Sequence, residues 1–390
     1  MKSTGLNTGA ILLGLTLGVC ITNGFARFAY GLILPAMRAD LDWSYTQAGW
    51  INTANALGYI IGAMLTLLIV QRIPAARIFQ WGMGLTVVFL IATAFTHDYS
   101  LLTLWRLLTG IGGAMAFIAG GALAAALHPD KQSRNALAIA IYYGVGGGLG
   151  MVLSGAGLPW LFHHYPPAIW PYSWGLMGLV SAIFLPLCLW AAQQLHPPVK
   201  PATPPQGHLP LGRMIFQILG YFGFGLGYIV YVTFLVAWMK RGFDTATLIS
   251  AVWITMGLGI MLSPFIWRPL LARFRSGIPL AAILITMAAG GLLPLVLPSV
   301  LGLILSAALF GASVFMAPSA VTSFCRLNLP PERWGRAVSL FTVVFAVGQT
   351  IGPIAAGALG DITGDIGQSL AAGGAILALG ALVALLQKPL

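Results

Sequence analysis

Apolar runs separated by short polar breaks recur along the whole chain, each of roughly the 20 residues a helix needs to cross the hydrocarbon of a bilayer. Twelve spans are predicted, near 9–34, 46–70, 77–96, 101–127, 137–162, 172–192, 213–238, 246–268, 276–296, 298–325, 337–359 and 369–387. The first run is too long for a signal-peptide core and leads straight into the next span, so it reads as a membrane helix. Breaks such as His97-Asp98-Tyr99-Ser100 are short and force neighbouring spans to be antiparallel. One break differs in kind. Gln193 to Gly212 reads QQLHPPVKPATPPQGHLPLG, proline-rich and without periodicity, as a stiff extended linker does. It divides the chain into an N-terminal six-helix bundle over 1–192, a cytoplasmic linker over 193–212 and a C-terminal six-helix bundle over 213–390.

Composition agrees with lipid as the solvent. Hydrophobic residues make up 58% of the 390 and charged ones only 7%, against about 25% charged in a soluble domain. The net charge of +11 would suggest nucleic acid in a soluble protein. Its placement points elsewhere. With the N-terminus in the cytoplasm, 14 of the 19 Lys and Arg residues fall on the cytoplasmic side, and only Arg38, Lys240 and Arg241 fall outside. Arg27 and Arg106 lie within spans. This is the positive-inside pattern, which predicts cytoplasmic termini in a cell inner membrane and no nucleic-acid partner. The tryptophans are expected in two interfacial belts, with Trp43, Trp50, Trp105, Trp160, Trp170, Trp174 and Trp238 at one and Trp81, Trp190, Trp267 and Trp334 at the other. Cys20, Cys188 and Cys325 lie in separate apolar runs without CxxC spacing, so buried free thiols are expected. The histidines sit in or beside loops, and no metal site or cofactor is expected.

The halves are related in sequence. At an offset of 202, Pro129, Asp130, Lys131 and Arg134 align with Pro331, Glu332, Arg333 and Arg336, and Gly146, Gly150 and Gly155 with Gly348, Gly352 and Gly357. At an offset of 201, Gly24, Tyr30 and Leu34 meet Gly225, Tyr231 and Leu235. A charged loop matching in sign and spacing beside the glycines marks two parallel repeats. Such repeats imply a solute path at their interface, opened alternately to each side.

These residues resemble the major facilitator superfamily over the whole chain. Arg106-Leu-Leu-Thr-Gly110-Ile-Gly112 is similar to its RxxxGxG signature, and Gly348-Gln-Thr-Ile-Gly352-Pro353 to its GxxxGP pattern. Gly24-Phe-Ala-Arg27-Phe-Ala-Tyr30-Gly-Leu-Ile-Leu-Pro35, followed by Ala48 to Tyr59, resembles the YbfB/YjiJ-like branch. The resemblance implies an all-α polytopic fold of two six-helix pseudo-repeats, with the first and fourth helices lining a central cavity. Two departures bear on function. The loop with Arg72 and Arg77 lacks the Gly and Asp of the GxxxDRxGRR motif, and Met151 stands where an antiporter pattern places proline.

Charge inside lipid costs about 2.5–3.5 kcal/mol on insertion scales and calls for a reason. Arg27 and Arg106 are the two clear cases, and no Asp, Glu or His occupies a central span position. On the first span Thr16, Asn23, Arg27 and Tyr30 fall within about 60° of arc at 100° per residue. Asn52, Asn55 and Tyr59 share a face of the second span, and Gln217, Tyr221, Tyr228 and Tyr231 a face of the seventh. These stripes read as cavity lining, with inter-helix bonding as the structural alternative. Arg106 shares its face with Gly110, Gly113 and Gly120, so it reads either as a second charge at the site or as a tie to backbone carbonyls.

A secondary transporter accounts for repeats, linker and stripes together; a membrane enzyme would need acid/base or metal groups within the spans. No GxxxxGK[ST] loop is present, so transport runs on a gradient or on exchange. The expected solute is a small organic anion or zwitterion with an apolar or aromatic body, taken by a monomer. The alternatives are a drug or metabolite efflux antiporter and a transporter-like sensor without flux. A proton is the candidate coupling ion, and any proton dependence is expected from ionisation of the solute or from acids at helix ends, where Asp40, Asp42, Asp361 and Asp365 are available.

Overall fold

The computed structural model describes residues 7–70, 72–128, 132–195 and 209–390. Among them are twelve helices long and apolar enough to cross a membrane: α1 Thr8–Asp40, α2 Tyr45–Ile69, α3 Ala75–Phe95, α4 Tyr99–Ala124, α5 Arg134–His164, α6 Pro167–Gln193, α7 Leu211–Met239, α8 Ala246–Arg273, α9 Ile278–Val296, α10 Val300–Asn328, α11 Pro331–Thr363 and α12 Ile366–Leu385. No strand occurs among the described residues. The chain is an all-α polytopic membrane protein, as its pattern predicts. Of the expected linker, residues 196–208 lie outside the described residues, as do Pro129, Asp130 and Lys131 of the charged-loop repeat.

Two helix ends and one helix interior depart from expectation, each for a local reason. α1 runs on through Pro35 to Asp40, because Ala36 and Met37 are buried there and Arg38 stacks 3.8 Å from the Tyr45 ring centroid. The charged stretch 331–336, expected in a loop, forms the first turns of α11. Pro331 opens that helix, where its missing N–H costs nothing, and Glu332 sits in the first turn against the positive end of the dipole. α10 breaks at Phe315–Met316 and restarts at Ala317 with Pro318 in its opening turn. Two tryptophans also leave the expected belt. Trp170 and Trp174 are fully buried, Trp170 donating to Asp40 at 2.8 Å and Trp174 stacking on Tyr30 at 6.4 Å, because this end of α6 packs on α1. The three cysteines are free and buried.

Lipid provides no hydrophobic force between helices, so close contacts depend on small residues. α1 meets α5 where Gly24 faces Gly150, and a Cβ on either glycine would overlap the other's backbone. Around this crossing, Cys20–Phe28 is wound as a π-helix, with Ala29 N–H reaching the Gly24 carbonyl at 2.9 Å. Wide turns of this kind cluster at functional sites.

The first six helices meet the last six through α1 on α7, α2 on α11 and α5 on α8. The end of the bundle bearing Ser44 and Asp361, called upper below, is tightly joined. The Asp361 carboxylate of α11 accepts from the backbone N–H of Tyr45 at 2.7 Å and of Thr46 at 2.8 Å, and from the Thr46 hydroxyl at 2.5 Å. It thereby caps the first turn of α2 from the opposite half. Beside it, a Cβ on Gly357 would collide with the Tyr45 carbonyl. Asn52 to Thr233 (2.7 Å) and Thr53 to the Thr350 carbonyl (2.8 Å) continue the seam downward.

Candidate functional site

At the lower limit of that seam sits Arg27, 6% exposed, on the π-helical part of α1. Its Nη2 donates to the Tyr228 hydroxyl oxygen at 2.7 Å and to Gln349 Oε1. The Tyr228 hydroxyl in turn donates to the same Gln349 oxygen at 3.1 Å, closing a triangle between α1, α7 and α11. Because both of its neighbours donate, the Gln349 oxygen is fixed toward them and its Nε2 is left unpartnered. Tyr59 of α2 completes the surround, its ring centroid 5.1 Å from the Arg27 guanidinium carbon.

Arg106 sits above this triangle on α4 and is 1% exposed. Its Nη1 donates to the Ala26 carbonyl, and its guanidinium lies 4.9 Å from the Trp174 ring centroid and 5.4 Å from that of Tyr30. Asn55 donates to the Arg106 carbonyl at 3.0 Å, and Tyr30 to the Ala48 carbonyl at 2.7 Å. Arg106 is thus a tie between α4 and the π-helical turn that carries Arg27.

The expected stripes are only partly brought together. Arg27, Tyr59 and Tyr228 converge, and Tyr221 stacks 5.5 Å from Phe224, the ring against which Tyr228 stacks at 4.9 Å. Asn52 and Asn55 are buried close by but are spent on Thr233 and the Arg106 carbonyl. Asn23 is buried with its Nδ2 unpartnered. Two residues part from the group. Tyr231, a small rotation beyond Tyr228, turns toward α10, where it stacks on Phe310 at 4.0 Å and bonds Ser306 at 2.6 Å. Gln217 shares the face of Tyr228 but lies about 16 Å lower at 1.5 Å per residue, where its N–H donates to Gln387 at 3.1 Å. Gln349 and Thr233 are the additions the sequence reading did not name.

The charge pattern around the triangle is one-sided. No Asp or Glu is paired with Arg27 or Arg106 among the described residues, whereas at the upper end Lys240 pairs with Asp244 (3.2 Å) and Arg241 with Asp365 (2.6 Å). Those two cations and Arg38 line an upper cavity of about 480 Å³, so all three basic residues assigned to the outer side share one mouth. Deeper in the bundle, buried nitrogens of Asn23, Arg106 (Nε and Nη2), Trp174, Trp253 and Gln349 have no partner among the described residues. All are donors. The unpartnered amide oxygens, of Gln217 and Asn135, lie toward the lower end. The unneutralised Arg27 guanidinium, with the unpaired Gln349 Nε2 beside it and the unpaired Asn23 Nδ2 about one turn away, fits an acceptor-only group such as a carboxylate.

A family profile described as an uncharacterised MFS-type transporter YbfB matches residues 19–385. The inner membrane transport protein YdhP of Escherichia coli K12 is 25% identical over 388 residues, covering 96% of this chain and 92% of its own. The 3-(3-hydroxy-phenyl)propionate transporter of the same organism is 31% identical over 104 residues, 26% of either chain. Among solved structures, a bacterial homologue of the human lysosomal transporter Spinster, crystallised inward-facing and unoccupied, superposes with a TM-score of 0.72 at 16% identity. It covers 99% of this chain and 98% of its own.

Proposed function

Because the chain belongs to the YbfB-like family of major facilitator transporters, we propose that it carries a small organic acid, as anion or zwitterion, across the cell inner membrane by alternating access. The observation that carries this reading is the Arg27 guanidinium, held only by the neutral oxygens of Tyr228 and Gln349 in a membrane interior without a carboxylate. A buried charge left without a counter-ion is strongly disfavoured, and a bound acid supplies one. The 3-(3-hydroxy-phenyl)propionate transporter, similar over about a quarter of its length, is named for such an acid.

The two moving bodies are 1–192 and 213–390, with the linker and both termini in the cytoplasm. On this orientation the upper end is the outer face. Its seam from Asp361 to Arg27 would close the path outward, and the partly exposed Tyr59, Phe117 and Phe345 would line the path from Arg27 to the cytoplasm. Binding and release of the acid at Arg27 would alternate with opening of that seam.

Thermal shift and calorimetry on purified protein with a panel of organic acids test the reading. Charge-assisted hydrogen bonds contribute about 1.5–3 kcal/mol each, so Arg27→Gln should weaken binding by about tenfold or more. Arg27→Lys keeps the charge but loses the planar fork and should fall between the two. An Arg27→Gln protein that binds an acid as tightly as the wild type overturns the proposal.

A further inference from the structure

Each half presents a file of rings at Arg27. From the first half, Tyr59 sits over the guanidinium and meets Phe117 at 6.2 Å, which meets Tyr143 at 4.7 Å. From the second, Tyr228 stacks on Phe224 at 4.9 Å and on Phe345 at 5.6 Å, and those two phenylalanines stack with their planes 18° apart. Tyr59, Phe117, Tyr143 and Phe345 are partly exposed, whereas Arg27 at their head is buried. A molecule that reached Arg27 past these rings would meet aromatic faces from both halves and a cation at their head.

We infer that the solute is an aryl monocarboxylate, its carboxylate on Arg27 and its ring between the two files; the inference rests on the organic-acid reading above and narrows it. One charge is specified because one guanidinium is within reach. Both hydrogen bonds of Arg27 leave from Nη2, so Nε and Nη1 remain for a ligand. Arg106 is sealed beneath Trp174 and Tyr30, with Nη1 spent on a carbonyl. A zwitterion is disfavoured because its ammonium would find no carboxylate inside the spans. A ring is specified because offset and edge-on ring pairs add to the gain from buried area, enough for about a threefold to tenfold preference over a saturated body.

The test measures binding of four probes to the purified full chain by calorimetry at neutral pH. They are 3-phenylpropanoate, 3-cyclohexylpropanoate, 3-phenylpropanamide and phenylalanine. The cyclohexyl acid is the stricter control, since it has the same charge and chain and is more hydrophobic. The expected order places 3-phenylpropanoate about threefold or more above 3-cyclohexylpropanoate and about tenfold or more above the amide and the amino acid. Phe345→Leu should erase the first difference while carboxylate binding persists. Equal binding of the two acids overturns the aryl inference and leaves the organic-acid reading standing. Tighter binding of phenylalanine than of either acid overturns the monocarboxylate and keeps the zwitterion. If the amide binds as well as the acid, both readings fall. Binding of none of the four overturns the inference.

Discussion

Arg27 is held by two neutral oxygens, of Tyr228 and Gln349, where a soluble protein would place an acid. That arrangement makes Gln349 a sensitive position. Gln349→Glu is nearly isosteric and would hand the guanidinium an internal counter-ion. It should lower affinity for organic acids by about tenfold or more while raising thermal stability, since the pair satisfies a charge that now waits for a ligand. Calorimetry and a melting curve on the same preparation check both halves of that statement. The sequence disclosed Arg27, Tyr59 and Tyr228 because each is a polar side chain in an apolar run. Gln349 was hidden inside a glycine pattern that reads as a packing device, although it is the one amide in that helix. Its pairing with Arg27 spans 322 positions, a distance no periodicity reaches. Tyr231 failed for the opposite reason. A stripe drawn at 100° per residue groups it with Tyr228, yet the offset between them directs one to α1 and the other to α10.

At the scale of elements, spans and turns were legible because the lipid demands long apolar helices, and the departures sit where packing overrode composition. The π-helical winding of Cys20–Phe28 is one, since nothing in a run of CITNGFARF distinguishes i→i+5 from i→i+4 bonding. Its backbone contact with α5 leads to a sharp expectation. Gly24→Val places a side chain inside the Gly150 backbone, and overpacking of this kind costs about 1–3 kcal/mol. The melting temperature of the purified variant should drop by several degrees, and Gly24→Ala should lie between. The cap that Asp361 places on α2 is another feature no single helix reveals. Asp361→Ala removes three hydrogen bonds across the halves. A lost helix cap costs about 1 kcal/mol, and charge-assisted bonds more, so the closed upper end should lose about tenfold in population. With Cys20, Cys188 and Cys325 replaced by Ala, a cysteine in place of the buried Thr53 should react with maleimide correspondingly faster. An unchanged rate would show that the seam does not depend on the cap.

At the scale of the whole molecule, the basic asymmetry makes a claim about which face is which. The exposed Gly242 lies at the upper end and Ser276 at the lower. In intact cells, a cysteine at 242 should react with a membrane-impermeant maleimide, and one at 276 only after permeabilisation. The reverse result would invert the orientation and with it the direction in which the path now opens. The unneutralised guanidinium at the centre has a further consequence, which is electrical. One elementary charge crossing a membrane potential of 100 mV changes energy by about 2.3 kcal/mol. As access to Arg27 switches sides, the voltage drop falls first on one side of its charge and then on the other. An empty carrier therefore moves charge through the field when it reorients, and a cell interior held negative draws it toward the inward-open form. Loaded with a monoanion, the same centre is neutral and reorients without feeling the voltage. On a solid-supported membrane, one-for-one exchange of such an acid should be electrically silent, while net flux that requires the empty carrier to return should generate a current. Currents of equal size in both modes would mean that the charge on Arg27 is balanced even when nothing is bound.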